Sequence, residues 1–278
     1  MKNILLASTI LVASAGIAAA EVRVTGDGRM GVWDRGAVTD LNGRVRVNFG
    51  LSAEGDHGLT FGGTLRIGQS WNAGASTAIG PQNGSVFIAA NGLRLTVGDI
   101  DGAVASRVAI YGGGLGFTGN IGRPNTHGPF NTNYLEGDSG ATSSIRVDYD
   151  MSGFGISLAA RQGVANDAEI AVSYSASGLS VAAGYEEGGV WSVSAGYAAG
   201  SYSVGLLHTD LGATSGTRLW GSYAMGATTL RAIAGRVAGV NSYGIGASYA
   251  LGGGANFHAA VAREGALTTA QIGVTFSF

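Results

Sequence analysis

The sequence predicts an all-β fold: a transmembrane antiparallel β-barrel of sixteen strands. Three observations predict it. Apolar residues after position 20 alternate with period two, connections of two to four residues recur between the alternating segments, and the chain ends on an alternating strand closed by phenylalanine. Side chains of a strand point to opposite faces in turn, so such segments carry one apolar and one wet side.

Residues 1–20 read as a secretory signal peptide that precedes the barrel of 21–278. Lys2 supplies the basic start, an apolar run extends from Ile4 to Val12, and Ala18 and Ala20 occupy the small-residue positions before cleavage. The apolar run is too short for a spanning helix. Removing the leader removes Lys2, the chain's one lysine, so the mature side-chain cations other than histidine are all arginine.

The first mature strand, about 22–35, sets Arg23, Thr25, Asp27 and Arg29 against Val22, Val24, Met30 and Val32. The second, about 43–54, sets Arg44, Arg46, Asn48, Ser52 and Glu54 against Val45, Val47, Phe49, Leu51 and Ala53. The same reading places strands at about 59–71, 85–90, 93–99, 144–151, 156–163, 167–176, 179–187 and 190–199. It continues at about 202–210, 217–225, 228–239, 242–251, 256–264 and 268–278, which completes sixteen. Tight turns such as Asn91-Gly92, Ser152-Gly-Phe-Gly155 and Ser177-Gly178 alternate with longer connections such as 36–42, 72–84 and 211–216. Short turns at one end and longer loops at the other suit an outer-membrane barrel, whose closure leaves no unpaired edge in lipid.

Composition narrows the alternatives. The chain has 278 residues, 50 glycines, 3 prolines and no cysteine, which removes disulfide scaffolds, thiolate metal sites and cysteine nucleophiles. Sixteen Lys+Arg against eighteen Asp+Glu give no basic field for nucleic acid. A soluble β-sandwich would need a bulky apolar core, whereas these faces are rich in Ala, Val, Gly, Ser and Thr; a solenoid would need a fixed repeat, and none is found.

The four histidines are scattered over a turn, the long loop and two late strands, with no metal or nucleophile-base spacing. Asp99-Ile-Asp101 is too sparse for an EF-hand, and no phosphate loop precedes a helix. The sequence therefore predicts no enzyme, no cofactor and no metal. Trp33 and Trp220 fall on the wet face, where a sugar channel would want an aromatic slide, but two isolated rings make a poor one.

The last strand, Gln271-Ile-Gly-Val-Thr-Phe-Ser-Phe278, puts Ile272, Val274, Phe276 and Phe278 on one face. It resembles the terminal signal that outer-membrane barrels present to the barrel assembly machinery. Further stretches carry a more specific resemblance: Gly26-Asp-Gly-Arg-Met-Gly31, Arg44-Val-Arg-Val47, Gly58-Leu-Thr-Phe-Gly62, Val97-Gly-Asp-Ile-Asp-Gly102, Tyr134-Leu-Glu-Gly-Asp138 and 243–255. Taken together the chain resembles a general diffusion porin of Gram-negative bacteria, of the alpha-proteobacterial type. The resemblance implies a homotrimer in the outer membrane, in contact with its lipid and lipopolysaccharide. It also implies a water-filled channel for small hydrophilic solutes and ions, narrowed by an inward-folded third loop. A solute-specific channel and a non-conducting structural or adhesin-like barrel are the alternatives.

The longest irregular segment, about 100–143, sits where the family carries its constriction loop. Segments of that length inside a compact domain are functional or disordered. The loop and its base hold Asp99, Asp101, Glu136 and Asp138 with Arg107 and Arg123, while Arg29, Arg44, Arg46 and Arg66 lie on the wet face of the early strands. By resemblance, these wall cations face the loop acids across the narrowest part of the pore. The alternative is that the arginines only make salt bridges along the lumen. Four acids against two arginines is a milder loop than is usual for the family, so strong cation selectivity is not expected.

Overall fold

The computed structural model describes residues 20–72, 75–76, 79–122, 144–165 and 167–278. Its strands are β1 (Glu21–Asp34), β2 (Thr39–Glu54), β3 (Thr60–Asn72), β4 (Ala75–Ser76), β5 (Gly80–Ala90), β6 (Leu93–Gly98), β7 (Ser144–Met151) and β8 (Phe154–Arg161). Then follow β9 (Glu169–Ala176), β10 (Leu179–Glu186), β11 (Val190–Ala199), β12 (Tyr202–Asp210), β13 (Ser215–Met225), β14 (Thr228–Val237), β15 (Val240–Gly252), β16 (Ala255–Glu264) and β17 (Leu267–Ser277). The two-residue β4 pairs only with the end of β3, on the side that β5 then takes up. The ring therefore has sixteen staves, as the period-two segments predict. Among the described residues no helix is long and apolar enough to cross a membrane.

Each strand pairs antiparallel with its sequence neighbours, and β1 closes the ring against β17 from Asp27↔Ser277 to Asp34↔Ala270. Phe278 completes the seam: Gly26 N donates to its carbonyl at 2.6 Å, and its own N donates to the Gly26 carbonyl at 3.0 Å. The Phe278 and Phe276 rings lie where a Cβ on Gly26 or Gly28 would stand, 2.2 and 2.4 Å from the nearest ring carbon. Glycine at these two positions lets the terminal aromatic rings lie across the first strand.

Parity decides which side is wet. Val22, Met30, Val86 and Ile245 point outward and are more than half exposed, whereas inward-facing Ser157, Ser192 and Thr209 are wholly buried. This inverts the order of a soluble protein, because lipid and not a core covers the apolar face. Ala89, which the sequence puts on the apolar face beside Gly63 and Ala90, turns inward instead. It pairs with Thr60, and outward Ile88 pairs with outward Phe61. A run as uniformly apolar as Val86–Ala90 has no alternation from which to read its face.

At the end that holds both termini, Asn91-Gly92, Ser152-Gly153 and Ser177-Gly178 turn with φ of 50° and then 83–87°, the left-handed pair that matches strand twist. The opposite end carries the long segment after β6, but its last connections are short: β14 joins β15 through 238–239, and β16 joins β17 through 265–266. The rim over β14–β17 is therefore low.

The apolar core lies inside the barrel, between that long segment and the wall. Val104, Val108 and Ile110 pack with Val190 and Leu207; Leu115 and Ile121 pack with Ile233 and Ala262. Each of the valine, leucine and isoleucine side chains contributes about 1.5–3 kcal/mol on burial.

Candidate functional site

The site is built on the inward faces of β1, β2 and β3. Register sets Arg29 directly opposite Arg44, Asp27 opposite Arg46 and Asn48 opposite Arg66. Arg46 Nε donates to both Asp27 carboxylate oxygens at 3.0 and 3.1 Å, and Arg44 Nη2 reaches Asp27 Oδ1 at 3.4 Å. Arg66 Nε donates to Asn48 Oδ1 at 2.7 Å. One carboxylate thus serves two of four clustered guanidinium groups. Like charges directly opposite on a ladder repel, so the Arg29–Arg44 pair is a charge arrangement that folding alone would not select. Arg44 and Arg46 side chains are only 15% and 13% exposed, and salt screens such groups less than free surface charges.

Asp99 and Asp101 stand at the base of the long segment, after β6. Arg146 Nη1 donates to the Asp101 carbonyl at 2.8 Å. Burial pushes the Asp101 carboxyl up to about 6; the neighbouring Asp99 adds to the rise, while Arg146 and Arg66 hold it down. Asp99, Asp101 and Arg66 therefore share one electrostatic neighbourhood. Glu136 and Asp138, like Arg123 and His127, lie outside the described residues.

The described part of the segment is fastened along the inner wall. Its short helix α1 (Ala103–Arg107) begins with Val104 N donating to Glu169 Oε2 at 2.7 Å. Arg107 ends it, donating to Ser157 Oγ at 2.7 Å and to Asp150 Oδ1 at 2.5 Å. Beyond the helix, Ala109 N donates to Ser194 Oγ at 3.1 Å, and Arg218 Nη2 donates to the Ile110 carbonyl at 2.6 Å. Farther on, Thr118 and Gln271 exchange hydrogen bonds of 2.8 and 3.0 Å. The backbone thus runs inside the ring from β7 to β17, and Phe117 reaches Gly31 on β1, while Arg29, Arg44, Arg46 and Arg66 make none of these contacts.

Asp27, Glu169, Arg218 and Gln271 were not singled out from the sequence as site residues. Parity puts them on the wet face, but nothing local distinguishes an anchor for a distant loop from any other lumen side chain. Trp33 and Trp220 do face inward, yet both pack against the loop cluster, and Arg35 stacks on Trp33 with its guanidinium carbon 3.6 Å from the ring centroid. An aromatic slide is not available from two rings engaged in this way. His208 bonds Thr217 on the outward face, and His258 bonds Thr275 on the inward face. Among the described residues no three His, Cys, Asp or Glu side chains form a metal-binding group.

A closed sixteen-stave barrel with an apolar exterior, a charged lumen and a segment folded along its inner wall defines a membrane channel. A family model described as Gram-negative porin matches residues 7–266, and the chain belongs to that family. It is 31% identical to a porin of Fuscovulum blasticum, over 93% of this chain and 100% of that one. It is 29% identical to a porin of Rhodobacter capsulatus, over 67% of this chain and 55% of that one. Solved structures of Rh. blastica porin variants superpose with TM-scores of 0.81 and 0.80 at 29% and 30% identity, covering 93% of this chain and all of theirs. The protein is an outer-membrane porin, a channel for diffusion.

Proposed function

We propose that the channel is a general diffusion pore narrowed by the segment 100–143, with Arg29, Arg44, Arg46 and Arg66 on one side of the narrowest part. Asp99, Asp101, Glu136 and Asp138 are the acids assigned to the other. The observation that carries this reading is the grouping of four inward arginines on three adjacent strands, in a lumen whose remaining wall is lined by the loop. Opposed charges across a narrow gap set a transverse field that orients water and polar solutes and disfavours apolar ones. With Trp33 and Trp220 packed under the loop, the solute-specific alternative loses its aromatic support. Single-channel recording in planar bilayers tests the reading: large ohmic steps support it, saturation by one solute favours a specific channel, and no steps would leave a structural barrel.

The same reading assigns no catalytic activity, cofactor or metal, and makes residues 1–20 a leader removed before Glu21, which N-terminal sequencing of membrane-inserted protein checks. Its partners are outer-membrane lipid and lipopolysaccharide, the barrel assembly machinery through Phe278, and two further copies in a homotrimer. An uneven aromatic girdle supports the trimer. Outward Tyr149, Tyr197, Tyr202 and Tyr249, with Tyr174 and Tyr223 facing the same way by register, mark the turn end of strands from β7 to β15. On β1–β6 that end carries Val22, Val24, Leu51, Phe61, Ile88 and Leu93. Tyrosine prefers the membrane–water interface, so a sector without it suits contact with another copy.

A further inference from the structure

We propose that the outer face of β13–β16 is a fixed binding site for a lipid with a phosphate-bearing headgroup, held in the outer leaflet of the membrane. The inference rests on the outer-membrane reading above and gives the general lipid contact a place and a chemistry.

Two observations meet there. Of the described strand arginines, Arg236 on β14 and Arg263 on β16 alone face outward by parity, and both lie exposed at the loop end of their strands. Arg236 pairs in register with Asn241 and Arg263 with Tyr243, both on the intervening β15. With strands about 4.8 Å apart and a two-residue offset along β15, the two cations' backbones sit about 12 Å from one another across that strand. Neither makes a salt bridge among the described residues; Arg263 Nε donates to the Gly265 carbonyl at 3.0 Å. Charged side chains facing lipid are costly near the bilayer middle and tolerated at its interface, so this pair marks the headgroup level.

Directly below lies a groove of about 740 Å³. Its small residues, Gly221, Ala247 and Ala259, are set among the larger Leu230, Ile245 and Val261. Register joins Gly221 to Ala232 and Ala247 to Ala259, so the low ground crosses the strands diagonally. The two-residue connections 238–239 and 265–266 leave the approach open from the rim. Two unpaired cations above an apolar groove complement an anionic head above an acyl chain. The face lies apart from the girdle-free sector assigned to neighbouring copies.

The test uses the full barrel, folded in detergent and freed of co-purified lipid. It is mixed with bis-phosphorylated lipid A or with the same lipid A stripped of phosphate, and retained lipid is counted by native mass spectrometry. At least fivefold greater retention of the phosphorylated form is expected, with no competition from millimolar inorganic phosphate. Arg236→Gln with Arg263→Gln removes the difference, and Gly221→Leu with Ala232→Leu lowers retention of both forms. Equal retention by the wild-type protein overturns the proposal without reference to any variant. Crosslinking of Ala232→Cys to a second copy of the chain overturns it as well, by assigning the groove to a protein contact. Bilayer conductance of the same samples separates the two readings: normal channels without lipid discrimination sink this inference alone, whereas absent channels sink the pore.

Discussion

Arg218 donates to the backbone carbonyl of Ile110 at 2.6 Å, and this guanidinium is wholly buried inside the barrel. It lies 108 residues away in sequence and couples β13 to the middle of the inward segment. A charged donor removed from a buried acceptor costs on the order of 1.5–3 kcal/mol. We predict that Arg218→Ala loosens the loop, seen as noisier single-channel currents and faster liposome swelling with larger sugars. Arg218→Lys should restore part of the quiet state. Wild-type noise and cutoff in the alanine variant would show that burial of Leu115 and Ile121 holds the loop unaided.

Replacing Arg44 and Arg46 together with alanine removes two positive charges and leaves Asp27 without either guanidinium that it engages in the native wall. Reversal potentials under a salt gradient should shift toward cations, and uncharged solutes near the size limit should pass faster. Asp27→Asn should shift selectivity the opposite way. Unchanged selectivity and cutoff in both variants would place these residues away from the narrowest part of the pore.

We predict that Asp101 makes the pore charge sensitive to pH. Its carboxyl is raised to about 6 by burial, so the folded chain holds this proton across a window in which the unfolded chain has already released it. Stability from this group is therefore present below about pH 4 and declines as pH rises toward 6. Between pH 7 and pH 5 the lumen loses one negative charge, and selectivity should move toward anions. Asp101→Asn should remove that step from the reversal-potential curve; a step that persists belongs to another group.

The barrel seam depends on close approach of the terminal aromatics to Gly26 and Gly28. Deleting Phe278 should reduce the heat-modifiable, assembled form in the outer membrane. Gly28→Val should do so too, because a branched side chain would occupy the space of the Phe276 ring. Assembly at wild-type levels in both would mean that the seam tolerates loss of this packing.

The girdle-free sector over β1–β6 predicts a homotrimer. Mass measurement in mild detergent should give three chains, and Phe61→Arg, which charges the centre of that sector, should shift the mass toward one. A wild-type protein that is monodisperse as a single chain would remove the assignment.

The alternation by itself determined the strand count, the wet and apolar faces and the terminal closure. Arg44 and Arg46 were legible as a pair because two residues apart on a strand means the same face. That information is local, carried by period two within each strand. Where local contrast failed, as in the apolar run containing Ala89, so did the reading of its face. The path of the inward segment was decided only in three dimensions. Its anchors pair Val104 with Glu169, Ile110 with Arg218 and Thr118 with Gln271, across 65, 108 and 153 positions. Tertiary structure also chose Asp27, on the neighbouring strand, as the carboxylate that Arg44 and Arg46 share. A side chain's face follows from its own strand, but its partner across a lumen follows from ring closure, which sets the strand register and brings distant loop residues against the wall.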